Sequence, residues 1–190
     1  VLWLGLNTAY NREFASGRWW GSALAMANIG TIDTLGPNET SAKRVDIFGL
    51  TGHGSLYYKV GQTRNDRVGI EALYTSGDPD GALDGTYNGV VTGNTWGSPV
   101  GIYSSHRAFL LFPDAQVINR YYSAVHDISN LGYGTSALFL NYFNDLVPNK
   151  FSMKLGAAAA LSNEEPALGG NFIGYEVNAE FTYTYAVFLN

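Results

Sequence analysis

Cysteine is absent from this chain of 190 residues, which excludes a disulfide framework, a thiolate nucleophile and a cysteine-ligated zinc site. Charge is scarce as well. Only 14% of residues are charged and the net charge is −5. The eleven Lys and Arg are scattered, so there is no basic surface for a phosphate backbone and nucleic acid is excluded as a partner. No apolar run reaches the roughly 18 residues of a spanning helix. That excludes a helical membrane protein but not a barrel, in which only alternate residues face lipid and hydropathy averages towards neutral. Histidine is limited to His53, His106 and His126, isolated from one another, so no His-rich metal site is expected. Ser123, His126 and Asp127 have helical spacing, which rarely gives the nucleophile, base and orienter geometry of acyl transfer, and there is no nucleophile elbow. No enzyme activity and no cofactor are implied. An initiating Met and a signal peptide are missing too, so the chain reads as processed or incomplete.

What is abundant is glycine (23), tyrosine (13), phenylalanine (10) and tryptophan (4), a β-rich profile. From Ile173 to Leu189 apolar and aromatic residues recur at every second position, and for most of the length Gly174, Glu176, Asn178, Glu180, Thr182 and Thr184 lie between them. A period of two is a strand with two chemically different faces. The run exceeds a usual globular strand and suits a transmembrane barrel strand of roughly 9–11 residues. The same design recurs in Phe48 to Val60, where Thr51, His53, Ser55, Tyr57 and Lys59 form the polar side, in Val68 to Thr75 with Glu71, and in Phe151 to Leu161 with Lys154. Weaker strands are read at Leu2 to Tyr10, at Trp19 to Ile32, whose facing Ala23, Ala25 and Ala27 blur, and at Tyr133 to Asn144.

The connections alternate in length. Residues 62–66 and 145–150 are short, 162–171 is intermediate, and 76–132 is far longer than a median loop. Short turns on one side and longer loops on the other characterise outer-membrane barrels. Within the long excursion, Asp114 is a plausible N-cap, and Val117, Ile118, Tyr121, Tyr122, Val125 and Ile128 have helical spacing, so an amphipathic helix is expected at about 115–129. The expected fold is all-β: one transmembrane antiparallel up-and-down barrel over 1–190, of about seven or eight strands, or part of a larger one.

Two stretches carry a family likeness. Gly69-Ile-Glu-Ala-Leu-Tyr-Thr-Ser-Gly-Asp78 and Asn171-Phe-Ile-Gly-Tyr-Glu-Val-Asn-Ala-Glu-Phe-Thr-Tyr183 resemble the alginate-export family of outer-membrane porins, over about residues 44–190. The resemblance implies a bacterial outer-membrane location and passive diffusion or export of a small solute or polysaccharide through a water-filled lumen. Members of that family have more strands, so it also implies a further strand after Asn190. An alginate channel would favour Arg and Lys at its constriction, whereas here Lys59 and Lys154 stand against Glu71, Glu176 and Glu180.

The expected lumen-facing set is Thr51, His53, Ser55, Tyr57, Lys59, Glu71, Lys154, Glu176, Asn178, Glu180, Thr182 and Thr184, because polar groups inside a membrane must face water or one another. It either lines a channel or forms a structural network filling a narrow barrel. The helix at 115–129 either constricts the lumen, bringing Arg107, Arg120, His126 and Asp127 into it, or caps the rim. Asp78, Asp80 and Asp84 hint at calcium, but their spacing is not that of an EF-hand and an acidic surface loop is the plainer reading. Trp19, Trp20, Tyr57, Tyr58, Tyr74, Tyr183 and Tyr185 are girdle candidates. Expected partners are outer-membrane lipid, the solute, and a partner protein or a second copy. Two competitors remain: a non-conducting barrel whose long loops bind a partner, and a soluble lipocalin-like barrel, which would turn its apolar set inward.

Overall fold

The structure is a computed structural model that describes residues 1–34, 41–91, 128–167 and 169–185. It is all-β. Seven long strands, β1 (Leu2–Tyr10), β2 (Trp19–Thr34), β3 (Lys43–Lys59), β4 (Arg67–Thr75), β6 (Thr135–Val147), β7 (Phe151–Ser162) and β8 (Phe172–Tyr183), lie side by side in chain order, each antiparallel to the next. A two-residue strand, β5 (Thr86–Tyr87), completes the eight-stranded sheet by pairing parallel to β3 at Asp46 and Ile47. Among the described residues β1 and β8 are the two ends of the strand order.

The meander brings the strand ends joined by 11–18, 60–66 and 148–150 to one end of the sheet and the strand ends joined by 35–42, 76–134 and 163–171 to the other. We call these the short-turn end and the loop end. The β4–β6 pairing explains how a long excursion is tolerated. Arg67 to Thr75 pair without a break with Phe143 to Thr135, so the ladder closes over the excursion as though the two strands formed a hairpin.

Strand parity divides the residues sharply. On β4, Val68, Ile70, Ala72 and Tyr74 are exposed while Gly69, Glu71, Leu73 and Thr75 are buried. The cross-strand partners follow suit. Phe48, Leu50 and Leu56 on β3, Leu138 and Leu140 on β6, and Leu155 and Leu161 on β7 are all exposed. At the edges Leu6 is 72% and Val177 80% exposed. The apolar side of the alternation is therefore the exposed side, the reverse of the lipocalin-like expectation.

The buried, inner side holds a mixed set. Its apolar cluster is Leu73, Ala137, Phe139, Ala158 and Ala160, with Ile128 from the excursion laid on them and Ile173 packed against it. Ile173 was expected on the outer side. A register shift opposite Ala160 and Leu161 places an extra residue in β8 and turns it inward.

Several boundaries also differ from expectation. β8 ends at Tyr183, so Thr184 is not a strand residue; it lies at the short-turn end, where its N–H donates to Lys150 O at 2.8 Å. Residues 186–189 of the expected strand lie outside the described residues, as does most of the expected helix at 115–129. Its last two positions, Ile128 and Ser129, form a turn into a three-residue 3-10 segment, Asn130–Gly132.

A buried aspartate secures each end. Asp66 accepts from the N–H groups of Gln62 (2.9 Å) and Thr63 (2.8 Å) in its own turn, and from Asp145 N–H (2.9 Å) and Asn144 Nδ2 (3.2 Å) on β6. It thus ties two neighbouring hairpins together. Asp78 accepts from Gly81 N–H at 2.7 Å, from Asp80 and Ala82 N–H, and through its other oxygen from Asn88 N–H at 2.7 Å. Its donors all come from its own loop.

Candidate functional site

The candidate site is the inner wall of the sheet. Register places its members in cross-strand rows. Nearest the short-turn end, Lys59, Arg67, Phe143, Lys154 and Glu180 are successive partners across β3, β4, β6, β7 and β8. The next inward row runs Trp20, Tyr57, Gly69, Asn141, Gly156 and Asn178. The third runs Ser22, Ser55, Glu71, Phe139, Ala158 and Glu176. His53 and Thr51 follow on β3, and Thr182 faces Ser152 near the short-turn end. Of the expected polar set, eleven of the twelve residues share this wall; Thr184 is the exception.

At the centre of the wall Glu71, 5% exposed, is held from two sides. Tyr57, 1% exposed, donates its phenol O–H to Oε1. His53 Nε2 lies 3.3 Å from Oε2. This arrangement depends on Gly69. Its missing side chain leaves the space that the Tyr57 ring occupies, and a Cβ there would collide with the ring. Trp20 stacks on the other side of Tyr57, with ring centroids 5.1 Å apart. Trp20 and Tyr57 are therefore inner-wall residues, not girdle residues. Ser22 and Ser55 share a hydroxyl hydrogen bond of 2.7 Å.

The basic row beside them is built on aromatic faces. The Arg67 guanidinium lies 4.3 Å from the Phe143 centroid and about equally far, 5.8 and 6.0 Å, from Tyr57 and Trp20. Lys154 Nζ sits 6.0 Å from the same Phe143 ring and 3.7 Å from Glu180. Cation–π contacts of this kind contribute roughly 0.5–2 kcal/mol, most where water is excluded. On β8, Asn178 Nδ2 donates to Glu176 Oε1 at 2.9 Å.

Asn141 differs from the rest. It is 2% exposed, and neither its amide nitrogen nor its oxygen has a hydrogen-bond partner among the described residues. The indole N–H of Trp20 and the hydroxyl of Thr51 are likewise buried without partners among the described residues. Each such group costs roughly 1–3 kcal/mol unless water serves it.

Both stretches flanking residues 92–127 touch this wall. Val91 N–H donates to Asn28 Oδ1 at 3.1 Å, and Trp3 Nε1 donates to Val91 O at 2.9 Å. Gly49 is the inner residue beneath, where a Cβ would stand 2.7 Å from Gly89 O. On the far side Ile128 joins the inner cluster, and Thr75 Oγ1 donates to its carbonyl at 2.6 Å. Arg107, Arg120, His126 and Asp127 lie outside the described residues.

The Asp78, Asp80, Asp84 group is a backbone knot. Burial alone would raise the Asp78 carboxyl, but donation from Asn88, Ala82 and Gly81 N–H brings it below the usual aspartate range. The Thr86 hydroxyl and N–H likewise lower Asp84. With its oxygens committed to N–H groups, Asp78 does not present the free oxygen array that calcium requires. No three His, Cys, Asp or Glu side chains come together as a metal site among the described residues.

The sequence pattern does not single out Ser22, Asn28, Arg67, Asn141 and Phe143, and it offers Trp20 only as a girdle residue. On β2 the signal was hidden because the outward residues are Ala and Gly, which contrast weakly with anything. Arg67 is the first residue of β4 and falls between the turn expected at 62–66 and the alternation that starts at Val68. Comparison with protein-family models, with curated proteins and with solved structures returns no match to this chain.

Proposed function

We propose that the chain forms the wall of a bacterial outer-membrane β-barrel and acts as a passive channel for a small polar solute or polysaccharide. The observation that carries this reading is the inverted sheet: one continuous apolar face left exposed across seven strands, with ionisable and amide groups on the buried side. In water each exposed Leu or Phe forgoes roughly 1.5–3 kcal/mol of burial, and soluble monomers rarely expose apolar patches beyond a few hundred Å². Lipid removes the difficulty. The outer face is also banded as a membrane face is. Trp19 and Tyr58, with ring centroids 4.8 Å apart, and Phe151 and Phe181, 6.2 Å apart, lie towards the short-turn end. Phe48, Tyr74, Phe172 and Tyr175 lie towards the loop end, with Ala, Leu, Ile and Val between. Kinship with alginate-export porins belongs to the same proposal.

The test is insertion of the full-length protein into planar bilayers. Discrete conductance steps are expected, and a protein that enters lipid yet never conducts would overturn the channel. A second reading, a non-conducting wall whose loops bind a partner, is favoured by one observation: Ile128 and Phe139 pack into an apolar cluster on the inner side. Silent bilayers together with stable insertion are the result that reading expects.

A further inference from the structure

The two ends of the sheet differ in charge. At the loop end Asp33, Asp46, Asp80, Asp84, Glu164 and Glu165 outnumber Lys43 and Arg44 among the described residues. At the short-turn end the balance reverses. Arg12, Arg18, Arg64 and Lys150 are exposed there, against the exposed Glu13, the half-buried Asp145 and the buried Asp66. Arg64 is paired with Glu13 at 3.3 Å, whereas Arg12, Arg18 and Lys150 have no carboxylate partner among the described residues.

These cations sit at the margin of the aromatic part of the outer face. Lys150 Nζ lies 5.9 Å from the Tyr183 ring, beside the stacked Phe151 and Phe181. Arg18 immediately precedes Trp19, which packs on Tyr58. An ammonium or guanidinium held just beyond a belt of Tyr, Trp and Phe has the arrangement of a membrane interface, with rings at headgroup level and cations level with the phosphates.

Resting on the membrane-wall reading above, we propose that the short-turn rim is a docking surface for anionic glycerophospholipid headgroups, with Lys150, Arg18 and Arg12 as the phosphate-facing cations. Charge complementarity selects the occupant. A zwitterionic headgroup brings its own ammonium and gains little from these side chains, while an anionic phosphodiester brings net charge that the rim lacks. The acidic loop end offers no equivalent surface, so the preference belongs to one end of the molecule.

The outer face supplies a reporter. Trp19 is the one outward-facing tryptophan among the described residues, since Trp3 and Trp20 are on the inner side of their strands. The full-length protein is reconstituted in phosphatidylcholine vesicles carrying either brominated phosphatidylglycerol or brominated phosphatidylcholine, and tryptophan quenching is compared. Stronger quenching by the brominated anionic lipid is expected at low salt, weakening as salt screens the rim. Each neutralised cation should reduce the preference by up to about fivefold, and R12Q/R18Q/K150Q should abolish it. Arg44→Gln at the loop end, and Lys150→Gln alone should the triple variant fail to fold, separate a local effect from a global one. Insertion with equal quenching by both lipids overturns the docking surface and leaves the membrane reading standing, as does a preference that survives neutralisation of the rim. Failure to enter either vesicle overturns both.

Discussion

Val68, Ile70, Ala72 and Tyr74 on the outer face of β4 are exposed, with nothing among the described residues that buries them, while Gly69, Glu71, Leu73 and Thr75 on its inner face are buried. Position is more tightly specified on the polar side. Outside, Ala72 and Tyr74 stand exposed alike; inside, the Tyr57 ring needs Gly69 to be empty and its hydroxyl donates to Glu71. In a soluble sheet the jigsaw is apolar and the permissive face polar. Here the two roles are exchanged, and the exchange makes the faces distinguishable by substitution.

The strongest break in that comparison is a charge on the outer face. Leu140→Arg, at an exposed position of β6, should cost roughly 2–4 kcal/mol when unfolding by urea is followed from lipid vesicles. A cost near zero would mean that this face does not meet hydrocarbon.

Next comes a single methyl on the inner face. Gly69→Ala forces the Tyr57 ring away and separates its hydroxyl from Glu71, and should lose about 2–3 kcal/mol in the same assay. Stability equal to the parent would show that the ring has room to move.

Asp66→Asn should cost about 1.5–2 kcal/mol, because charge-assisted hydrogen bonds to two hairpins are weakened together. It carries a pH signature as well. Burial opposes the charged form of Asp66, yet N–H donors from Asp145, Thr63 and Gln62 hold its carboxyl below the usual aspartate range. The unfolded chain therefore binds the proton more readily, so this contribution is whole above the ordinary aspartate pKa and drains away as pH falls through the lowered native value. Acid unfolding of the Asn variant should be flatter across that window. Identical acid limbs for parent and variant would remove Asp66 from the account.

The smallest effect has the opposite sign. Gly54 faces outward with open space where a Cβ would go, and Gly54→Ala should gain about 0.5–1 kcal/mol by restricting the unfolded chain. A loss comparable to that at Gly69 would erase the difference between the faces.

Legibility in the sequence followed side-chain contrast. β3 was readable because Phe48, Leu50 and Leu56 alternate with Thr51, His53, Ser55 and Lys59; β2 was not, because Ala23, Ala25 and Ala27 face outward opposite Gly54, Gly52 and Leu50. Ile173 was misassigned because a one-residue bulge reverses parity without leaving any compositional mark. The buried amide of Asn141 and the knots at Asp66 and Asp78 depend on which strands become neighbours across long stretches of chain. Local pattern does not contain that information. The grouping of basic residues at the short-turn end likewise appears only when connections far apart in sequence are gathered at one end.

β3 is longer than β4, and past the Thr51–Thr75 pair its edge would be bare. Ser76 N–H donates to Leu50 O, Asp46 N–H to Gly85 O, and β5 then pairs with Asp46 and Ile47. An unpaired edge is a template for another chain. By closing it within a dozen residues of leaving β4, the protein separates the safety of its sheet from whatever sequence follows Val91. Insertions or deletions farther along the excursion would leave this pairing in place, so they need not open the edge of β3 to another chain.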